Sequence, residues 1–538
     1  MSRLCRIFSL KGTLTAVTAL VMMLALVGNV SAAPVVRHGS PVEVQQAAQH
    51  DVSPALRDMS QSFHASGVRR DQPLRLFPVP QGANVLPDPV VQSSAPLPNV
   101  TTTAGVNING VGDTSNTPAN PCNCAPSDTN GAVGATQFVQ WVNTAFAVYD
   151  KTGHLVMGPT AGNALWSGFG GPCQTNNDGD ILAQYDKAAG RWVLSQFSVT
   201  GGPPFFQCVA VSTTSDATGT YNRYAFQEPN FNDYPKLGIW PDGYYFSYNM
   251  FQGNSFVGAR ACAFDRNQML AGGAATQVCF QQSSSVGSLL PSDLDGTIAP
   301  PAGEPDFFVN FGSNVLNLWK FHVDFATPTN STFVGPTAIP VAAFTAACSG
   351  GGTCIPQPNT SNQLDSLADR LMYRLAYRRF SDGHESLVVN HAVTVSGSRR
   401  KSVTGVRWYE VRNPNGTPTV FQQGTFSPNT NSRWMGSIAM DKFGDVALGY
   451  SESSASLFPS IAYTGRVPSD PLGTMEAENL AFQGSGSQTG GLHRWGDYSS
   501  MSVDPIDDCT FWFTTEYLAA TGSFNWSTRI LSFKFPGC

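Results

Sequence analysis

Two short stretches place a guanidinium beside an indole: Arg433-Trp434-Met435-Gly436-Ser437 and Arg494-Trp495-Gly496-Asp497-Tyr498-Ser499-Ser500. An indole face stacks on the C–H face of a pyranose. Arginine and aspartate can hydrogen-bond its hydroxyls or clamp a uronate carboxylate or sulfate. Arg433, Trp434, Arg494 and Trp495 are therefore the candidate substrate-binding residues. Asp497 and the adjoining Tyr498 supply a carboxyl and a phenol for proton transfer or nucleophilic attack, and Asp306 supplies a further carboxyl, so these three are the candidate catalytic residues. The same stretches equally describe an internal repeat whose tryptophans pack between layers of sheet.

A second cluster, Asn176, Asn177, Asp178 and Asp180, sets oxygen ligands at alternating positions, the donor set a hard cation prefers. Asp178 and Asp180 are the candidate metal ligands, and calcium is the one cofactor the sequence suggests. The helix-loop-helix calcium template fails, because Ile181 stands where glycine is required and Lys187 where glutamate is required. A turn into the strand at Asp180 is the simpler reading. Cys122 and Cys124 lack the second cysteine pair or nearby histidines of a zinc site. The chain has no Gly-x-Ser-x-Gly elbow, no His-Glu-x-x-His pair, no phosphate loop and no haem-attachment motif.

The elements that must position these residues are strands. From Ser127 onward one unit recurs: a strand, a turn built on Asp, Gly or Asn, and a second strand rich in aromatic and β-branched residues. It appears at Gly131 with Gln137–Val142, Asp180–Asp186 with Arg191–Phe197, Tyr234–Trp240 with Tyr244–Asn249, and Asp306–Phe311 with Val315–Phe321. It returns at Leu371–Tyr377 with Glu385–His391, Met435–Asp441 with Asp445–Ser451, and Tyr498–Asp504 with Cys509–Tyr517. A lone hairpin is not stable in water, and further strands such as Cys208–Ser212 with Tyr221–Phe226 bring each unit to four. Four-stranded units repeated radially make a propeller, in which the starts of the innermost strands converge on the axis. Asp128, Asp180, Asp233, Asp306 and Asp369 stand near five such starts, and Arg433 and Arg494 near the other two. Two or three β-sandwiches in series would use the same strands.

Composition agrees with many turns and few exposed helices: 13% charged residues, 52 glycines and 37 prolines. A net charge of −6 with no basic cluster longer than Arg399-Arg400-Lys401 argues against nucleic acid as a partner. Residues 1–32 read as a signal peptide, with Arg3, Arg6 and Lys11 ahead of the apolar Leu14–Val27 and a small-residue cleavage pattern at Val30 and Ala32. No membrane span is expected in the mature chain. Of eleven cysteines, ten remain after the signal. In an exported chain they should pair. Short spacing favours Cys262 with Cys279 and Cys348 with Cys354, and Cys509 with Cys538 would tie down the chain end; Cys122, Cys124, Cys173 and Cys208 have three pairings open. Residues 33–126 carry a stretch, Val42–Met59, that could form a short helix, and then seven prolines between Gln72 and Pro98. This segment reads as a linker or pro-segment.

Residues 127–538 resemble a secreted seven-bladed β-propeller, and Ser212-Thr-Thr-Ser-Asp-Ala-Thr-Gly-Thr-Tyr221 is similar to blade-closing turns of sugar-processing propellers. The Asp-box spacing and Arg-Ile-Pro signature of sialidases are absent. The resemblance implies an all-β, seven-bladed β-propeller preceded by a signal peptide and a Pro-rich extended segment. It implies a secreted monomer acting on an extracellular glycan or other polymer, by hydrolysis or other cleavage at the axial mouth. A non-enzymatic glycan- or protein-binding module, a lectin or adhesin, is the alternative, and fold alone does not decide between them.

Overall fold

The computed structural model describes residues 41–59, 70–71, 75, 88–94, 101–113, 124–397 and 402–538. The signal-peptide stretch and Cys122 lie outside the described residues. The chain is nearly all β. Among the described residues the α-helical segments are short, the longest being Arg266–Ala271, and none is long and apolar enough to cross a membrane.

Alternating sequences form meandering antiparallel sheets, labelled here I to VII by their first strands: Asn130–Val133, Leu182–Asp186, Phe231–Ile239, Leu290–Asp295, Met372–Arg379, Ser432–Met440 and Ser500–Val503. Each first strand packs against the next, and the last returns to the first, so these strands form a closed ring. Sheets IV and V are joined through a parallel pairing of Ser292–Asp295 with Leu375–Arg378. The close approach is made with glycine where a side chain would collide: a Cβ on Gly238 would lie 2.1 Å from the Ser292 carbonyl oxygen, and one on Gly449 2.6 Å from Phe513.

Both faces of the inner strands are buried, which explains strands apolar on both sides. Aromatic pairs bridge neighbouring sheets: Phe226 and Phe264 join II to III with ring centroids 4.4 Å apart, Tyr245 and Phe321 join III to IV at 5.2 Å, Tyr463 and Phe533 join VI to VII at 3.8 Å, and Phe138 and Trp512 join I to VII at 5.3 Å. The middle of the ring is filled by a buried ion network. Arg374 donates to Asp293 at 2.6 Å and to the Met501 carbonyl at 2.9 Å, pairs with Asp295 at 2.8 Å, and Gln184 donates to Asp293 at 2.9 Å. The network ties the first strands of II, IV, V and VII together.

The structure departs from the sequence reading before residue 127. Val42–Met59 forms no α-helix: Val42–Gln46 pairs with Thr276–Gln281, Gln49–Val52 pairs with Tyr221–Glu228, and only Leu56–Asp58 coils, as a 3-10 turn. Open sheet edges supply hydrogen-bond partners that outweigh local helix propensity. Thr103–Asn109 is the fourth strand of sheet VII, paired with Trp526–Lys534, so a strand that precedes sheet I completes the last sheet. Disulfides join Cys262 to Cys279, Cys348 to Cys354 and Cys509 to Cys538 as the spacing suggests, and Cys173 pairs with Cys208. Cys124 is also disulfide-bonded.

Candidate functional site

At the end of the ring where the first strands begin, charged side chains converge from sheets that are remote in sequence. The Asp128 carboxylate accepts the Asp497 backbone N–H at 2.7 Å and the Asn143 side-chain amide at 2.9 Å. Asp180 accepts the Tyr234 N–H at 2.8 Å, and its own N–H donates to Asn143 at 3.0 Å. Arg494 bridges Asp497 at 2.7 Å and Asp365 at 3.0 Å, while Arg370 forks onto Asp369 at 2.7 and 3.0 Å. The buried Lys236 ammonium lies between two phenol rings, 3.4 Å from the Tyr234 centroid and 4.1 Å from that of Tyr498. Asp128 and Asp180, each two residues ahead of a first strand, and Tyr234, at a register shift within the first strand of sheet III, hold φ of 47°, 45° and 55°, in the left-handed region. Such conformations cost energy in non-glycine residues and persist where the surroundings enforce them.

Burial dominates the protonation of this cluster. It raises Asp128 well above the carboxylate range, reinforced by the charges of Asp497 and Asp180, and it raises Asp180, whose largest opposing influence is Lys236. Asp233 is pushed up to about 7 by burial and by Asp180, with Arg75 and Arg370 opposing. Lys236 is pulled down to about 7 by burial, against the attraction of Asp180, Asp128 and Asp497. As residues, Asp180, Asp233 and Asp497 are half-buried, whereas Asp128, Asp365 and Asp369 are buried. Beside them Phe197, Phe205, Phe231 and Phe251 form an aromatic cluster with centroid spacings of 5.9 to 6.1 Å around Phe231, and Phe205 and Phe231 are half-buried as well.

The sequence-derived candidates divide. Asp180, Arg494 and Asp497 belong to this mouth. Tyr498 lines it from beneath, but its ring is buried and its hydroxyl donates to the Ile181 carbonyl at 3.0 Å. Trp434 and Trp495 are fully buried, 5.5 Å apart, with the Trp495 N–H on Ser451 at 3.1 Å; a sugar cannot reach either ring. Arg433 turns away from the axis into a pocket of Glu452 at 2.8 Å and Glu478 at 2.8 Å. Asp306 opens the second strand of sheet IV rather than the first, is buried, and accepts from Ser292. Asp178 does not share a site with Asp180: its carboxylate accepts the N–H groups of Val199 at 2.6 Å and Thr200 at 2.8 Å, capping the loop that leads to Phe205. Among the described residues, three potential ligand atoms within 4.8 Å of one another occur at Asp507, Cys509 and Cys538, and there the cysteines are disulfide-bonded. Lys236 and the phenylalanine cluster were missed by sequence reasoning. Pro204-Phe205-Phe206 and Phe231-Asn232-Asp233-Tyr234 carried the only signal, aromatics abutting an aspartate at a strand start.

Raised carboxyl groups extend beyond the mouth. Burial lifts Asp113 and Glu516 to about 8, Glu228 and Asp441 to about 7, and Glu304, Asp365 and Asp445 to about 6. Their unfolded values lie near 4, so between roughly pH 4 and 8 these groups hold more protons in the folded chain than in the unfolded chain, while buried His391, held below its ordinary value, opposes them in the lower part of that window. Stability contributed by these groups is complete below that window and is lost as pH rises through it. Lys236 works oppositely, in the later window from about 7 toward the ordinary lysine value. The melting temperature is therefore expected to fall by several degrees from about pH 5 to about pH 8. Calorimetry across that range checks it, and a melting temperature that rises over the interval would contradict the burial assigned to these carboxyls.

The chain matches no protein-family model, and no curated protein matches it in sequence. Similar solved structures include the WD40 domain of SCAP from fission yeast, 7% identical over 74% of this chain and 82% of that one, with a TM-score of 0.32. A PL25 ulvan lyase bound to -[GlcA(1-4)Rha3S]- is 11% identical over 80% of this chain and 96% of that one, TM-score 0.34. Xylan β-1,4-xylosidase from Bacillus halodurans C-125 is 8% identical over 76% and 94%, TM-score 0.29. Superpositions this loose transfer no activity to the chain.

Proposed function

We propose that this chain is an exported, seven-bladed β-propeller that cleaves an extracellular glycan at its axial mouth. The observation that carries the reading is the pairing, in one half-open mouth, of Asp233, whose carboxyl is pushed up to about 7, with Asp497, which is ion-paired with Arg494. Two carboxyl groups in unlike environments can divide the work of acid and base. Asp233 would protonate the leaving glycosidic oxygen, and Asp497 would activate water or attack the anomeric carbon. Phe205 and Phe231 would stack on the sugar in place of the buried tryptophans. The closed ring of first strands, with Thr103–Asn109 from ahead of sheet I completing sheet VII, supports the propeller architecture, and the disulfides fit an oxidising compartment.

The test is to incubate the chain from Ala33 onward with a panel of neutral, acidic and amine-bearing polysaccharides and to measure new reducing ends. Cleavage by the native chain that disappears in Asp497→Asn is the expected result. Saturable binding without product from any polymer would leave the binding-module reading in its place.

A further inference from the structure

One cation in the mouth comes from far outside it. Arg75 belongs to the segment before sheet I, yet its guanidinium carbon lies 4.6 Å from the Phe231 ring centroid and 5.0 Å from that of Phe251. Its charge is felt by Asp233, and its backbone carbonyl accepts a hydrogen bond from Arg370 at 2.8 Å. Two aromatic rings and a carboxyl around one cation is the composition of an ammonium-recognising cage, in which attraction strengthens as water is excluded. Arg75 is only half-buried, so the cage that holds it opens to solvent.

The charges around it point the same way. Arg494 is engaged with Asp365 and Asp497, and Arg370 with Asp369, while Lys236 is buried beneath the tyrosine rings. The half-buried charged residues of the mouth include Asp180, Asp233 and Asp497, with Arg75 beside them. A uronate or sulfate entering here would have to compete with Asp233 for Arg75, since Arg370 and Arg494 are ion-paired, whereas a protonated amine would meet the cage, whose Asp233 carboxyl adds its charge as it ionises.

We infer that Phe231, Phe251 and Asp233 form a cation subsite which Arg75 fills in cis, and that the substrate is a polymer of amine-bearing sugars whose ammonium group displaces Arg75. The inference rests on the glycan-cleaving reading above and specifies its substrate class. A polymer must compete with Arg75 for the cage, so its apparent affinity is lowered by the fraction of molecules in which the cage is free.

The probe is the glucosamine tetramer, titrated calorimetrically into the native chain, Arg75→Ala and Arg75→Lys, with a glucose tetramer, a galacturonate tetramer and a lysine tetrapeptide as comparisons. Arg75→Ala is expected to bind the glucosamine tetramer about tenfold more tightly than the native chain, while Arg75→Lys, which keeps a cation in the cage, stays near the native value. The glucose tetramer should change by less than about twofold between variants, and the galacturonate tetramer should not bind. Phe231→Leu in the Arg75→Ala background should remove the gain, which separates loss of the cage from any loosening of the fold, and melting temperatures of all variants check folding. Equal affinity of the native chain and Arg75→Ala, an equal gain for the glucose tetramer, or preference for the peptide would overturn the inference. Cleavage of neutral polymers with no effect of Arg75 would sink the cation subsite alone. Amine-selective binding without any cleavage would instead sink the enzymatic reading and leave the subsite standing.

Discussion

Asp233→Asn should melt no lower than the native chain at about pH 8 and should still lose roughly a hundred- to ten-thousand-fold in cleavage rate. The first half follows from linkage. Burial and the neighbouring Asp180 raise the Asp233 carboxyl to about 7, and Arg75 and Arg370 oppose this without prevailing. An acid with a raised folded value contributes stability that is full below its unfolded value near 4 and is lost as pH climbs through the folded value. By pH 8 the native chain holds a desolvated charge that asparagine, with nearly the same shape, does not carry. The second half follows from chemistry, because an amide cannot protonate a leaving oxygen. Native cleavage should accordingly decline above about pH 7 as Asp233 ionises.

Asp306→Asn is the matching control. Asp306 is also a buried carboxyl held well above its ordinary range by desolvation, but it sits on the second strand of sheet IV against Ser292. It should share the stability behaviour and keep the activity. Loss of activity in Asp306→Asn with full activity in Asp233→Asn would reverse the assignment of the mouth.

The near-miss at Asp306 shows how far the alternating pattern carries. Six of the seven hairpins recognised from sequence are the two innermost strands of their sheets, because those strands are buried on both faces and the turns between them need Asp, Asn or Gly. In sheet IV the innermost strand reads Leu290-Pro-Ser-Asp-Leu-Asp295, with no aromatic residue and with polar groups engaged in the axial ion network. The alternating pattern does not mark this strand, and the spacing of the hairpins therefore places Asp306 one strand further in than it lies. The strands before residue 127 were illegible for another reason: Val42–Gln46 and Gln49–Val52 are mostly polar, and their partners lie on sheet edges far along the chain.

The mouth itself was half legible. Strand-start aspartates converge because the ring makes them converge, and Asp128, Asp180, Asp233, Asp369 and Arg494 do so. Matching spelling did not mean matching environment: the two Arg-Trp pairs occupy equivalent sheets, yet one guanidinium faces the axis and the other an outer strand. Lys236 was hidden because nothing in Tyr-Pro-Lys announces that the ammonium will lie between two rings.

That contrast between the arginines yields the second large effect, Arg433→Ala, a loss of about 3 to 5 kcal/mol with glycan binding per folded molecule unchanged. Arg433 is fully buried. It donates to Glu478 at 2.8 Å, to Glu452 at 2.8 Å, to the Asn431 carbonyl at 2.9 Å and to Asn429 at 3.0 Å, and Tyr450 donates to Glu478 at 2.7 Å. Every one of these partners belongs to sheet VI or the turn before it, and none reaches the mouth. Alanine would strand two carboxylates in a desolvated pocket, and that uncompensated charge, rather than the worth of the ion pair, sets the cost. For a domain of this size the loss corresponds to a melting decrease on the order of 5 °C. If stranded charge is the cause, Arg433→Met combined with Glu452→Gln and Glu478→Gln should recover most of it, since the neutral pocket then has nothing left to compensate. Calorimetry on the single and triple variants, with binding of the glucosamine tetramer measured on the folded fraction, decides the matter. A binding loss in Arg433→Ala at an unchanged melting temperature would return Arg433 to the substrate site.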